Sequence, residues 1–433
     1  MHHIIIGAGP AGVIAAETIR KHASTDEITL IGDETELPYS RMAIPYLLVG
    51  NIHEQGTHLR KSATHFEDLK IKVLKSKVDS AQAATKTIVL SNGQKLTYDK
   101  LLIATGSTPM RPPIPGIELP GIYSCWTLAD ARAIMDTMKP GSKVLQMGAG
   151  FIGCIIMEAL AARIKTGQAG GGHLSIVEMG DRMVPRMMGP AAGGMIKAWC
   201  QSKGVDVFTG AKVESIEKSG SGLKAKLSTG QTIEADVIIS ATGVKPTIGF
   251  LKDSGIHTKT GVLTDDHMQT NMPGVYAAGD CAEAFDHFTG TQMVSAIQPN
   301  AADQARVAAL NMVGKKTALK QVTQINVLDT LGLISTSFGN WQGVAGGEQI
   351  ELADKAGYKL LSMQFKDDVM VGCNSIGWTD HVGALRGLVE GKVKLGRWKE
   401  QLKSDPTQLM AAYIATAQAQ EQWSGAADAR RRA

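Results

Sequence analysis

The chain has 433 residues, 43% hydrophobic and 20% charged, which excludes a disordered chain. With 45 basic and 41 acidic residues the net charge is +4, too near balance for a dedicated nucleic-acid binder. Five scattered cysteines without a CxxC exclude a zinc ribbon, a cubane cluster and a vicinal redox disulfide, and they fit a reducing compartment.

The first element is an apolar run that leads at once into Gly7-Ala8-Gly9-Pro10-Ala11-Gly12. A helical apolar pattern follows, then a second apolar run closed by Asp33, 21 residues after Gly12. This is the strand, glycine turn, helix, strand unit that binds dinucleotides. Gly7 permits the tight turn, Gly9 lets the backbone approach a pyrophosphate, and Gly12 lets the helix pack on the sheet. An acid at the position of Asp33 accepts hydrogen bonds from ribose hydroxyls. No basic leader precedes the motif, so no signal peptide is expected. The longest apolar stretch, Val144 to Ala162, is broken by Gln146, Glu158 and glycines, so no membrane span and a cytoplasmic protein are expected.

Residues 71–110 alternate apolar and polar positions, and Asn92-Gly93 marks a hairpin between two strands. Prolines 109, 112, 113 and 115 mark a linker over residues 107–121. A second copy of the first unit then begins, its Gly148 lying 141 residues after Gly7. It reads Gly148-Ala149-Gly150-Phe151-Ile152-Gly153, with Glu178 closing its second strand. The Gly-rich stretch 166–173 accounts for the longer gap to that acid. Glu178 favours NAD over NADP, against which Arg182 and Arg186 stand nearby. Another set of alternating strands follows the second copy, and a second crossing is expected near Lys245-Pro246. Two nucleotide sites in one chain suit a flavoprotein that exchanges hydride with a nicotinamide, one site for FAD and one for NAD(H).

Residues 322–400 change character, with short strand-like runs and then a helical patch over WTDHVGALRGLVEG, and read as a separate α+β domain. The tail from Ala415 ends in three arginines and reads as a frayed helix or an interaction tail. The 11 histidines show no HxxxH or HExxH spacing, so no metal site is expected. Met183, Met187, Met188 and Met195 read as packing, and Trp341, Trp378 and Trp398 as core or interface anchors.

Three further motifs give the chain its likeness. Ala104-Thr105-Gly106 and Ala241-Thr242-Gly243 are paired strand ends, and Tyr276-Ala277-Ala278-Gly279-Asp280-Cys281-Ala282-Glu283 lies between them and the last domain. With the two glycine turns, these resemble the pyridine-nucleotide-disulfide oxidoreductase superfamily in its two-dinucleotide flavoprotein form, over residues 1–395. The resemblance implies an α/β fold with two Rossmann-like dinucleotide-binding domains and a C-terminal α+β domain. The expected ranges are 1–110 with 246–321 for FAD, 111–245 for NAD(H), and 322–433 for a C-terminal interface domain.

It also implies that Asp280 holds a flavin ribityl hydroxyl, beside Gly279. Gln298 and Pro299 would open a helix aimed at the flavin pyrimidine. Arg41, Val78, Ala104, Thr105 and Gly106 complete the expected FAD set, and Gly243 joins the NAD set. Cys281 reads as a small buried residue. The flavin carries the chemistry, so no side chain is assigned as catalytic.

The branch is decided by a missing thiol, because no cysteine precedes Cys125. The segment Pro38-Tyr39-Ser40-Arg41 resembles the rubredoxin-reductase, ferredoxin-reductase and nitrite-reductase flavoproteins, which have no redox disulfide. Those relatives often carry a lysine soon after the arginine, whereas this stretch stays apolar to Asn51. The implied function is electron transfer between NADH and an external one-electron carrier or iron–sulfur subunit. Size and missing thiol also suit the FAD subunit of a tungsten-dependent aldehyde oxidoreductase complex. The alternatives are an NADH-sensing flavoprotein of the apoptosis-inducing-factor type and a thiol-dependent oxidase or reductase. The oligomeric state is left open.

Overall fold

A computed structural model describes residues 1–165, 170–286, 290–320 and 325–419. The chain divides into two compact units. One contains Met1–Arg111, Ser124–Met135 and Gly243–Val322; the other contains Pro112–Tyr123, Asp136–Thr242 and the described part of Thr323–Ala433.

The first unit is built on a five-stranded parallel sheet. Its order is Val275–Ala277, Lys100–Ile103, His2–Ile6, Glu27–Gly32, Ile71–Lys75. Strands covered on both faces read as near-continuous apolar runs, and Ile4, Ile5, Ile6, Leu101, Leu102 and Ile103 are all buried. Helices Pro10–His22 and Gln298–Met312 pack against each other beside this sheet. An antiparallel sheet of Val78–Gln82, Thr87–Leu90 and Lys95–Thr97 sits after it, with Gly93 at φ +82° turning the expected hairpin.

The segments at the two crossings pair with each other: Ser107–Pro109 runs antiparallel to Val244–Pro246. The segment Ser124–Met135, which carries helix Leu128–Thr137 for most of its length, is grouped with this first unit.

The second unit repeats the plan. Its parallel sheet has the order Asp206–Thr209, His173–Glu178, Lys143–Met147, Val237–Ser240, Ile122–Tyr123. The helix that follows its glycine turn is Phe151–Lys165, and a further helix, Pro190–Ser202, connects His173–Glu178 to Asp206–Thr209. Residues 166–169 of the Gly-rich stretch lie outside the described residues.

The C-terminal part of this unit is a five-stranded antiparallel sheet, ordered Ile325–Thr330, Leu333–Gly339, Val369–Ile376, Lys359–Lys366, Glu348–Asp354. Helix Val382–Glu390 packs on this sheet, on the patch where the sequence pattern places one. Helix Leu409–Ala419 follows, and the arginine-ending tail lies outside the described residues. The architecture is the α/β class with Rossmann-like units. Among the described residues no helix is long and apolar enough to cross a membrane.

Candidate functional site: two glycine cradles and an aspartate between two helix starts

In the first unit, strand His2–Ile6 runs into Gly7, whose N–H donates to the Ile31 carbonyl at 2.7 Å. Gly7 has φ +115°, and a Cβ there would lie 2.0 Å from the Ala104 carbonyl oxygen. A Cβ on Gly12 would lie 1.8 Å from the Gly7 carbonyl oxygen. Both positions therefore demand glycine. Gly9 is different, because a Cβ there would meet nothing within 4 Å. It is the N-cap of helix Pro10–His22, which has no side-chain cap. The first-turn N–H groups of that helix, from Ala11 onward, carry the positive end of the helix dipole. Asp33 follows strand Glu27–Gly32 and is exposed, and Gly32 abuts Ala8 of the turn.

The second unit reproduces this arrangement. Gly148 has φ +100°, and a Cβ there would lie 2.3 Å from the Ala241 carbonyl oxygen. A Cβ on Gly153 would lie 2.5 Å from the Gly148 carbonyl oxygen. Gly150, like Gly9, has nothing within 4 Å of its Cβ position. Phe151 and Ile152 begin helix Phe151–Lys165. The two carboxylate oxygens of Glu178 accept from the backbone N–H of Ala149 and of Gly180, both at 2.7 Å. The acid thus lies against the turn itself, and its second lone pairs can still take ribose hydroxyls.

One residue that the pattern did not single out for this turn is Gln146. Its Nε2 donates to the carbonyls of Gly148 and Gly153, each at 2.8 Å. Its counterpart in the first copy is Ile5, so nothing in the repeat points to it.

Asp280 is the centre of the first unit's site. Gly279, at φ +82°, places its Cα side against two helices: a Cβ there would be 3.4 Å from Ala11 Cβ and 3.6 Å from Ala301 Cβ. The N-terminal turns of Pro10–His22 and Gln298–Met312 thus flank the Gly279-Asp280 step. Gln298 and Pro299 open the second of these helices after Ile297 as N-cap, again without a side-chain cap. Gln304 fixes the step by accepting the Gly279 N–H at 2.8 Å.

The Asp280 carboxylate accepts from the Ser107 hydroxyl at 2.9 Å. Burial raises its pKa above the ordinary aspartate value, opposed by the Ser107 hydrogen bond and the Arg41 charge. Arg41 in turn pairs with Glu34 at 2.8 Å and lies 5.3 Å from the centre of the Trp126 ring. The Trp126 indole donates to the Ser107 carbonyl at 3.1 Å. Ser107, Trp126 and Gln304 are missed by the motifs because each acts through a contact distant in sequence.

Ala104 takes the Ile6 carbonyl through its N–H at 2.7 Å, and Thr105 donates to the Thr247 carbonyl at 2.7 Å, with Gly106 next at φ +65°. Val78 heads strand Val78–Gln82 and is buried in the first unit's apolar core. Gly243 is grouped with the first unit, whereas the rest of the expected NAD set lies in the second.

All five cysteines are buried and free. Burial pushes the thiols of Cys125 and Cys200 up to about 12 and raises those of Cys154, Cys281 and Cys373 as well. The Cys281 sulfur contacts the Ile103 and Ala278 carbonyls at 3.4 Å, which is the small buried residue its motif suggests.

The residues fit two dinucleotides. Each middle glycine leaves a bare helix N-terminus facing open space, which is what a pyrophosphate requires. An acid closes the second strand of each copy. The half-buried carboxylate of Asp280 takes one hydroxyl donor, from Ser107, and keeps acceptor capacity for a ligand.

Comparison with known proteins agrees. Residues 1–308 match the family described as pyridine nucleotide-disulphide oxidoreductase. The chain is 30% identical over 407 residues to the NADH-dependent phenylglyoxylate dehydrogenase subunit epsilon of Aromatoleum evansii, covering 93% of this chain and 95% of that protein. It is 30% identical over 400 residues to the biphenyl dioxygenase system ferredoxin–NAD(+) reductase component of Paraburkholderia xenovorans, covering 92% and 95%. In fold it superposes on the reductase of the covalent putidaredoxin reductase–putidaredoxin complex with a TM-score of 0.86, at 22% identity, over 96% of this chain and 98% of that one. The chain belongs to the pyridine nucleotide-disulphide oxidoreductase family and is an NADH-dependent FAD oxidoreductase.

Proposed function

We propose that this chain moves electrons between NADH and an external one-electron carrier or iron–sulfur subunit, with FAD in the first unit and NAD(H) in the second. The observation that carries this reading is the pair of open glycine cradles in a chain whose five thiols are all buried. When bound, FAD supplies the chemistry, since it accepts a hydride and can release electrons singly.

The residues have separate tasks. The N–H groups at the start of helix Pro10–His22 hold the FAD pyrophosphate, and Asp33 holds its ribose. Asp280 fixes the ribityl chain, Arg41 sits near that carboxylate, and the start of helix Gln298–Met312 favours negative charge on the flavin pyrimidine. Ala104, Thr105 and Gly106 form the strand end beneath this site. In the second unit Gly148, Gly150, Phe151, Ile152 and Gly153 hold the NAD pyrophosphate, and Glu178 selects a free ribose over a 2′-phosphate. Arg182 donates to Asp181 at 2.7 Å and to the Met188 carbonyl at 2.9 Å, so it is already engaged and does not counter that selection.

With no accessible thiol in reach of oxidation chemistry, the acceptor or donor is a separate protein. The ferredoxin reductase component supports a freestanding partner, and the phenylglyoxylate dehydrogenase subunit supports a place as the NAD(H)-facing subunit of a larger complex. A tungsten-dependent aldehyde oxidoreductase complex is one instance of the second case. A cytoplasmic setting fits both.

The test is turnover. Purified protein mixed anaerobically with NADH and a ferredoxin-type iron–sulfur protein should cycle steadily and reduce the carrier. A reduced complex that persists with the carrier present would instead favour the NADH-sensing reading.

A further inference from the structure

The second unit contains a cavity of about 280 Å³ that no assigned function uses. It lies between the start of helix Pro190–Ser202 and the C-terminal antiparallel sheet.

Three features of its wall are chemically open. The first is the helix start. Pro190 and Ala192 line the cavity, the helix has 13 residues, and its N-cap, Gly189, offers no side chain. Asn374 Oδ1 takes the Gly189 N–H at 3.0 Å, which leaves the N–H groups of Ala191 and Ala192 for a ligand. The second is Gln364. It is only 5% exposed, it lines the cavity, and its amide makes no hydrogen bond to the described protein. A buried amide without a partner is costly, and one that faces a cavity is satisfied by whatever fills it. The third is Trp341, half-buried on the wall, whose indole N–H is likewise unpaired among the described residues. Arg182 stands on the helix side, and Glu351 is exposed on the sheet side.

These groups sort by chemistry. A helix start with free N–H groups suits a phosphate. An amide with both a free donor and a free acceptor suits the edge of a nucleobase, and an indole face suits its ring. Glu351 can accept from ribose hydroxyls. We propose that this cavity binds a nucleoside monophosphate, with the phosphate on the start of helix Pro190–Ser202 and the base against Trp341 and Gln364. The cavity's lining shares no residue with the glycine cradle, and the proposal does not depend on what accepts the electrons.

The experiment is titration calorimetry of the FAD-loaded protein with AMP, adenosine and inorganic phosphate. AMP should bind at one site per chain beyond the nicotinamide site, and tenfold or more tighter than either fragment. Gln364→Leu should weaken AMP at least tenfold while the KM for NADH stays within twofold. Trp341→Leu, a second variant, should weaken AMP similarly if the first one misfolds. Glu178→Ala should leave AMP binding unchanged. AMP binding that is absent, equal to that of adenosine, unmoved in both cavity variants, or lost with Glu178→Ala would overturn the proposal; the last result would place AMP on the glycine cradle.

Discussion

Asp280 shows how a single side chain ties the first unit's site together. Its carboxylate is half-buried, partial loss of solvent raises its pKa, and the Ser107 hydroxyl and Arg41 charge offset part of the cost. A half-buried carboxylate with one hydroxyl donor retains capacity for ligand hydroxyls, which is the proposed flavin contact. Removing it forfeits a charged hydrogen bond worth roughly 1.5–3 kcal/mol, about 10- to 100-fold in affinity. Asp280→Ala should therefore elute with a large deficit of FAD, read from its visible absorbance, whereas Asp280→Asn should retain more. Full FAD content in the alanine variant would remove Asp280 from the site. The thiols point the other way. Each is buried with its pKa raised, so none offers a ready thiolate.

The elements differ in how far the sequence reveals them. Both glycine turns, the Asn92-Gly93 hairpin and the helix that starts at Gln298 rest on local rules, and these hold: close approach at Gly7 and Gly148, positive φ at Gly93, and proline in a first turn. The Ser107–Asp280 hydrogen bond, the Arg41–Trp126 stack and the pairing of Ser107–Pro109 with Val244–Pro246 join residues far apart in sequence, where no local signal exists. The same holds for Gln146, whose copy partner Ile5 is apolar. Helix Phe151–Lys165 has a further property that periodicity cannot show. It packs on strand Ile325–Thr330, and there Glu158 is partly buried near Asp329. Burial first, and that like charge second, raise the Glu158 pKa from 4.5 to about 7. A raised carboxyl pKa means the folded state holds the proton better than the unfolded one. Its contribution is full below about 4.5 and is lost as pH rises through about 7. Glu158→Gln should thus be more stable than the parent at pH 8, by roughly 1–2 kcal/mol after discounting for solvent, read as a higher Tm, and show little difference at pH 4.5. An identical pH dependence in both proteins would show that Glu158 titrates normally.

At the scale of the whole molecule, the repeated unit explains why one chain can use two dinucleotides. Both copies keep the strand, turn and helix, and they differ in the side chains around the turn: Gln146 and Glu178 bind the second turn's backbone directly. The first unit adds what the second lacks, the Gly279-Asp280 step between two helix starts. In the proposed function, electrons pass between NADH and an outside carrier without any thiol of this chain. The most direct measurement replaces Cys125, Cys154, Cys200, Cys281 and Cys373 with serine or alanine and follows NADH-driven reduction of a one-electron acceptor by stopped flow, after FAD content is verified. The rate should stay within severalfold of the parent. A large loss that traces to one cysteine would contradict it and restore a thiol-dependent mechanism.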